Sequence, residues 1–247
     1  MKPCITMMAI IMGFCAAAAP ETVSVADYGL HPGARENAVP YVKQALAACA
    51  GKTGMTVLFP KGRYDFFAED CPEKTYFESN TTDLNPKRCP ILLENLEGVT
   101  VDGEGSEFVF HGQMQPFTVD HCRDVLIQNV SVDWDIPLTA QGEVVQVDKN
   151  SADLRIDPKE YPFVVEDRKL FFTGEDWKSE WSGAMEFDRE THLIPPGTGD
   201  NTFGGGIKGN YRAEKVSDDT VRIRKHTKNV PKLGDFLVLR HNERIHA

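Results

Sequence analysis

Two aspartates flank a tryptophan at Asp133-Trp134-Asp135, and these are the residues in the chain best suited to chemistry on a sugar. In an extended segment, residues i and i+2 point to the same side about 6.5–7 Å apart. Inverting hydrolysis of a glycosidic bond uses two carboxyl groups about 6.5–9.5 Å apart, one protonated and one poised to activate water. The spacing suits such a pair, and the ring of Trp134 offers an apolar face to a sugar. Asp133, Trp134 and Asp135 are therefore the substrate-binding candidates. The competing reading makes both aspartates solvated or capping residues at a junction, with Trp134 packed inward.

Other residues carry weaker chemistry. Trp177 and Trp181 are four apart, either a carbohydrate platform or core packing. Asp218-Asp219 sits in a polar turn before a strand, where aspartates serve turn geometry. In Arg222-Ile223-Arg224-Lys225-His226 the charges alternate with apolar residues, as on the wet face of a strand. The seven histidines are scattered, and HExxH, phosphate-loop and GxSxG patterns are absent, so no cofactor and no metal are expected. A formal charge of -10 argues against nucleic acid or an anionic membrane as partner. The longest apolar run, 5–19, is 15 residues, short of the roughly 20 that a spanning helix needs.

That run has the form of an export signal. Lys2 supplies the positive start, 5–14 the apolar stretch, and Ala16 to Ala19 the small residues that a signal peptidase accepts. Cleavage after Ala18 removes a signal peptide at 1–18, gives a mature charge of -11, and predicts a periplasmic or extracellular protein. Phe14 before Cys15 disfavours lipoprotein anchoring, since such sites want a small residue there. Cys49, Cys71, Cys89 and Cys122 remain. Their pairing is open: three connectivities if oxidised, buried thiols otherwise.

The positioning elements come next. A strand at 23–25 precedes a helix at 39–50, because Val39, Val42, Leu46 and Cys49 recur at helical spacing. Strands at 56–59 and 63–66 flank the turn Pro60-Lys61-Gly62. Residues 91–101 then match 117–127 at an offset of 26, as in one rung of a parallel β-solenoid with the helix covering its open edge. A β-sandwich is the alternative. From Leu138 the period changes to two, at 143–147, 153–156, 220–224 and 235–239, which predicts antiparallel strands with one wet face. Pro195-Pro196-Gly197 and Gly204-Gly205-Gly206 punctuate that stretch. The expected organisation is an all-β chain. A right-handed parallel β-helix with an N-terminal cap helix occupies 19–137, an inserted antiparallel barrel-like unit 138–239, and a return to the β-helix begins at 240–247.

The stretch from Val25 through Thr56-Val57-Leu58-Phe59-Pro60-Lys61-Gly62-Arg63-Tyr64 resembles the N-terminal signature of the pectin-lyase-like β-helix proteins. Pro90-Ile91-Leu92-Leu93-Glu94-Asn95, Val101-Asp102-Gly103-Glu104-Gly105-Ser106, Ser131-Val132-Asp133-Trp134-Asp135-Ile136-Pro137 and Gln141-Gly142-Glu143-Val144 resemble glycoside hydrolase family 110. That resemblance implies an exo-acting α-1,3-galactosidase with barrel domains set into a β-helix, and galactose-terminated glycans as substrates. It implies neither nucleic acid nor membrane insertion, and leaves the oligomeric state open. Family members are much longer, and their catalytic carboxylates sit in a His-Asp-Asp-like stretch that this chain lacks. The catalytic pair is accordingly expected beyond Ala247. Two further functions compete: a non-catalytic carbohydrate-binding or structural solenoid, and a polysaccharide lyase. The absence of an acid cluster within one rung disfavours the lyase.

Overall fold

The computed structural model describes residues 21–77, 85–175, 177–198, 210–225 and 229–241. The expected signal peptide at 1–18, the glycines at 204–206, His226, and 242–247 of the expected return segment lie outside them. Strand β1 (Glu21–Ser24) begins slightly earlier than its alternation predicts. It ends because Ser24 caps a 3-10 turn, Val25–Tyr28: the Ser24 hydroxyl accepts from the Ala26 amide, and the Asp27 carboxylate accepts from the Ser24 amide. Helix α1 (Val39–Ala47) has Pro in its first turn and buries Val39, Val42, Ala45 and Leu46, the face that the spacing predicts.

The strands that follow are β2 (Met55–Leu58), β3 (Arg63–Phe66), β4 (Glu73–Lys74), β5 (Lys87–Arg88), β6 (Ile91–Glu94), β7 (Val99–Phe110), β8 (Phe117–Asp120) and β9 (Leu126–Trp134). β1, β2, β3, β7 and β9 form a five-stranded parallel sheet in which β7 pairs with β2, β3 and β9; β6 and β8 form a separate parallel pair. The repeat is visible as register, since Ile91 lies opposite Phe117 and Thr100 opposite Leu126. Strand β7 bends at Gly103-Glu104-Gly105, where Glu104 and Gly105 take φ of 50° and 83° and the register with β9 shifts. Val25, Val57, Phe59, Phe66, Val99 and Phe108 are fully buried beneath these strands. The four cysteines among the described residues are free thiols, and burial pushes Cys71 up to about 12.

The remaining strands are β10 (Ala140–Asp148), β11 (Ser151–Arg155), β12 (Phe163–Glu166), β13 (Lys169–Thr173), β14 (Lys178–Phe187), β15 (Arg212–Lys215), β16 (Thr220–Arg224) and β17 (Phe236–His241). They form one antiparallel sheet in the order β12-β13-β14-β17-β10-β11-β16-β15. The sheet curls until its two ends nearly meet: the Ala213 amide donates to the Arg168 carbonyl at 2.8 Å, and the Leu170 amide to the Tyr211 hydroxyl at 3.1 Å. Val144, Leu154, Trp181, Val221, Ile223 and Leu237 fill the interior. Trp177 and Trp181 both belong to that core, which removes them as a surface platform. Arg222 and Arg224 face outward to Asp153 and Glu214, as expected of a wet strand face.

The expected right-handed parallel β-helix is therefore corrected. The chain is all-β, and its largest sheet is an eight-stranded, nearly closed antiparallel barrel. Two matching copies 26 residues apart make adjacent parallel strands, but a solenoid needs at least three stacked repeats to generate its own continuous core. The parallel ladders are real, and the architecture inferred from them was larger than two copies support.

Candidate functional site

The ends of β3, β7 and β9 lie side by side. In register, Asp65, Val109 and Asp133 form one row, and Phe66, Phe110 and Trp134 the next. The second row points into the core: the Phe66 and Phe110 rings stack at 4.8 Å, and Trp134 lies 5.7 Å from Phe110. Trp134 is half-buried, and its Nε1 donates to the Gly112 carbonyl at 3.1 Å. One residue further on, the His111 amide donates to the Phe66 carbonyl and the Asp135 amide to the Phe110 carbonyl. Continued pairing thus brings Phe67, His111 and Asp135 to one corner, with the His111 ring stacked on Phe67 at 4.0 Å.

Charge converges at that corner. Asp65 is 1% exposed. It accepts hydrogen bonds from Arg63 at 2.7, 3.1 and 3.2 Å; the two residues share one face because they are two apart on β3. Burial alone would raise the Asp65 carboxyl, but the Arg63 and His111 hydrogen bonds outweigh it and hold the group below the usual carboxylate range. His111 Nε2 donates to Asp65 Oδ1 at 2.9 Å, because an ionised carboxylate only accepts. Its Nδ1 faces Asp135 Oδ2 at 3.9 Å and Glu175 Oε2 at 3.8 Å, beyond hydrogen-bond length. His111, Asp135 and Glu175 each offer one ligand atom, all within 4.8 Å of one another.

Glu175 comes from the barrel, on the loop between β13 and β14. Gly174 and Trp177 close that loop through an amide-to-carbonyl bond of 2.9 Å, and Trp177 anchors it by stacking on His241 at 4.9 Å. A side chain at Gly174 would sit 2.1 Å from Trp177 Nε1, so the turn requires glycine. Phe67, Ala68, Glu69, Arg88, His111 and Glu175 line an open cleft of about 420 Å³ here.

The structure separates the sequence candidates. Asp135 joins the cluster, its Oδ1 3.5 Å from Arg63. The Asp133 carboxylate turns back and accepts from the Trp134 amide at 2.8 Å. Trp134 packs inward. Sequence reasoning missed Arg63, Asp65, His111 and Glu175. The Arg-x-Asp spacing was a usable signal for the first two; His111 and Glu175 carried none, since only folding brings them together. Asp219 accepts from the Ser217 and Thr220 hydroxyls, in keeping with its expected turn role. Among the described residues no helix is long and apolar enough to cross a membrane.

Fold and site together describe an all-β protein whose barrel is joined to a parallel sheet, with a charged cleft at the junction. Comparison with known proteins narrows this. The family model of GLAA-B beta-barrel domain I matches residues 140–237, the span of the antiparallel strands. Alpha-1,3-galactosidase B of Bacteroides thetaiotaomicron is 45% identical over 100% of this chain, which covers 40% of that relative. Alpha-1,3-galactosidase A of Shewanella woodyi is 35% identical over 67% of the chain and 28% of its own length. A Phocaeicola vulgatus alpha-1,3-galactosidase B is 31% identical over 78% of the chain and 34% of its own length. The chain is similar to these proteins and spans less than half the length of each.

Proposed function

We propose that this chain is part of an exported glycoside hydrolase of family 110 that releases terminal α-1,3-linked galactose from glycans. The observation that carries the reading is the 45% identity over the whole chain to a protein named as an alpha-1,3-galactosidase. Export rests on the signal-like residues at 1–18. In this reading the chain supplies scaffold and part of the substrate groove, with Asp133, Asp135 and the half-exposed edge of Trp134 lining a galactose subsite. The carboxylate pair that performs inversion lies outside these residues.

Two measurements test this. Intact protein purified from its native source is incubated with a Gal-α-1,3-Gal disaccharide, and galactose release is followed; no release from correctly folded protein overturns the hydrolase. Galactose affinity of this chain is then compared with that of Asp133→Ala, which removes an exposed side chain. A loss of at least about tenfold is expected from removing a charge-assisted hydrogen bond. Unchanged affinity removes the subsite and leaves the hydrolase standing.

A further inference from the structure

We propose that His111, Asp135 and Glu175 hold a divalent metal ion of the borderline class, such as Zn²⁺, which ties the barrel to the parallel sheet. His111 is the decisive residue. Its side chain is 8% exposed, its Nε2 is committed to Asp65, and its Nδ1 is buried with no hydrogen-bond partner. In the neutral imidazole, donating from Nε2 leaves the lone pair on Nδ1, aimed at two carboxylate oxygens. Three acceptor atoms therefore face one another with no donor between them, an arrangement that repels unless a cation fills it. The separations of 3.8 and 3.9 Å are too long for hydrogen bonds. They approach the roughly 3.3–3.8 Å between ligands that surround one ion at about 2.0–2.2 Å.

The surroundings match a metal centre in two further respects. A metal-bound imidazole characteristically donates its other nitrogen to a carboxylate, which fixes ring orientation and raises basicity. Asp65 stands in that place, held in turn by Arg63 at 2.7 Å and Arg35 at 3.6 Å. With Glu69 and Arg88 of the same cleft included, the four carboxylates of Asp65, Glu69, Asp135 and Glu175 outnumber the three guanidiniums of Arg35, Arg63 and Arg88, so the cluster accepts positive charge. One imidazole with two carboxylates selects a borderline ion over Ca²⁺ or Mg²⁺, which take all-oxygen sets. Three protein ligands leave a coordination position open towards the cleft for water.

Asp135 belongs both to this site and to the proposed galactose subsite, but the two readings are tested apart, because the readout here is metal binding. Tag-free chain is stripped with chelator, dialysed, and titrated calorimetrically with ZnCl₂, then with CaCl₂. One equivalent of Zn²⁺ is expected, with Ca²⁺ at least about tenfold weaker. Glu175→Gln, at an exposed position, is expected to weaken Zn²⁺ at least about tenfold, since disturbing even an outer partner costs that much. Glu69→Gln, in the same cleft but outside the cluster, is expected to change nothing. No saturable Zn²⁺ binding overturns the proposal. Undiminished binding in Glu175→Gln overturns it too, because the ion then sits elsewhere.

Discussion

At the residue scale, the buried Asp65 is the group whose removal should cost most. Arg63 and His111 both lose their acceptor in Asp65→Ala, and breaking one partner of a buried ion pair costs about 3–5 kcal/mol. Urea unfolding should show that loss; a change below about 1 kcal/mol would mean that water replaces the carboxylate. A second residue sets a pH limit. His241 is 2% exposed between Trp177 and Phe172, and burial pulls it from 6.5 down to about 4, with the Leu138 backbone opposing part of the fall. Because the folded value lies below the unfolded one, the contribution is intact above pH 6.5 and fades as pH falls towards 4. The loss amounts to about 3 kcal/mol at most. His241→Phe, which fits the aromatic setting, should flatten stability against pH in that window. An unaltered slope would assign the acid sensitivity elsewhere. Asp135 was legible in the sequence because its chemistry shows in three adjacent letters. His111 was not, because its meaning depends on a carboxylate 46 positions away.

At the element scale, the bend in β7 is a point where backbone approach sets the sequence. A Cβ on Gly103 would lie 2.4 Å from Val130 Cγ1 and 2.6 Å from the Asn129 carbonyl oxygen. Gly103→Ala must push β7 and β9 apart at the register shift, at about 1–3 kcal/mol for overpacking. Hydrogen exchange should quicken at the β9 amides and leave the barrel unaffected; uniform exchange in both would show that the strands absorb the methyl group. Legibility also divides by element. Strands β10, β11, β16 and β17 each carry a stretch of polar–apolar alternation, so period two found them. Strands β12 and β13 escaped because their turn is Asp167-Arg168, with φ of 47° and 62°, where no glycine marks the left-handed positions. The 26-residue offset foretold which strands pair. It could not foretell the architecture, since pairing is a local property and a solenoid requires repetition.

For the molecule as a whole, the two hydrophobic cores end differently. The barrel brings its sheet ends together, which leaves little free edge. The parallel sheet does not. Among the described residues β8 pairs with β6 alone and β9 with β7 alone. Burial fades in the same direction: β7 is mostly buried on its inner face, whereas every β9 residue keeps some exposure. Val119 is 50% exposed, Leu126 49% and Val132 39%, so the free edge carries apolar side chains beside unpaired backbone groups. Natural edges are blunted by charge, proline or bulges; here Asp120 and Asp133 supply some charge, but exposed Val119, Leu126 and Val132 stand beside them. The 247-residue chain should therefore self-associate through β8 and β9, with a mass in light scattering that rises with concentration. Leu126→Lys with Val132→Lys places charge on that edge and should restore a monomer at equal concentration, with little change in stability since both positions are exposed. A wild-type chain that stays monomeric at every concentration would show that the edge is covered by other means. Association that persists in the double variant would move the contact to another surface. An edge of this kind needs a further strand or an equivalent cover to lie in water without association, because unpaired N–H and C=O groups recruit a partner wherever apolar neighbours exclude solvent.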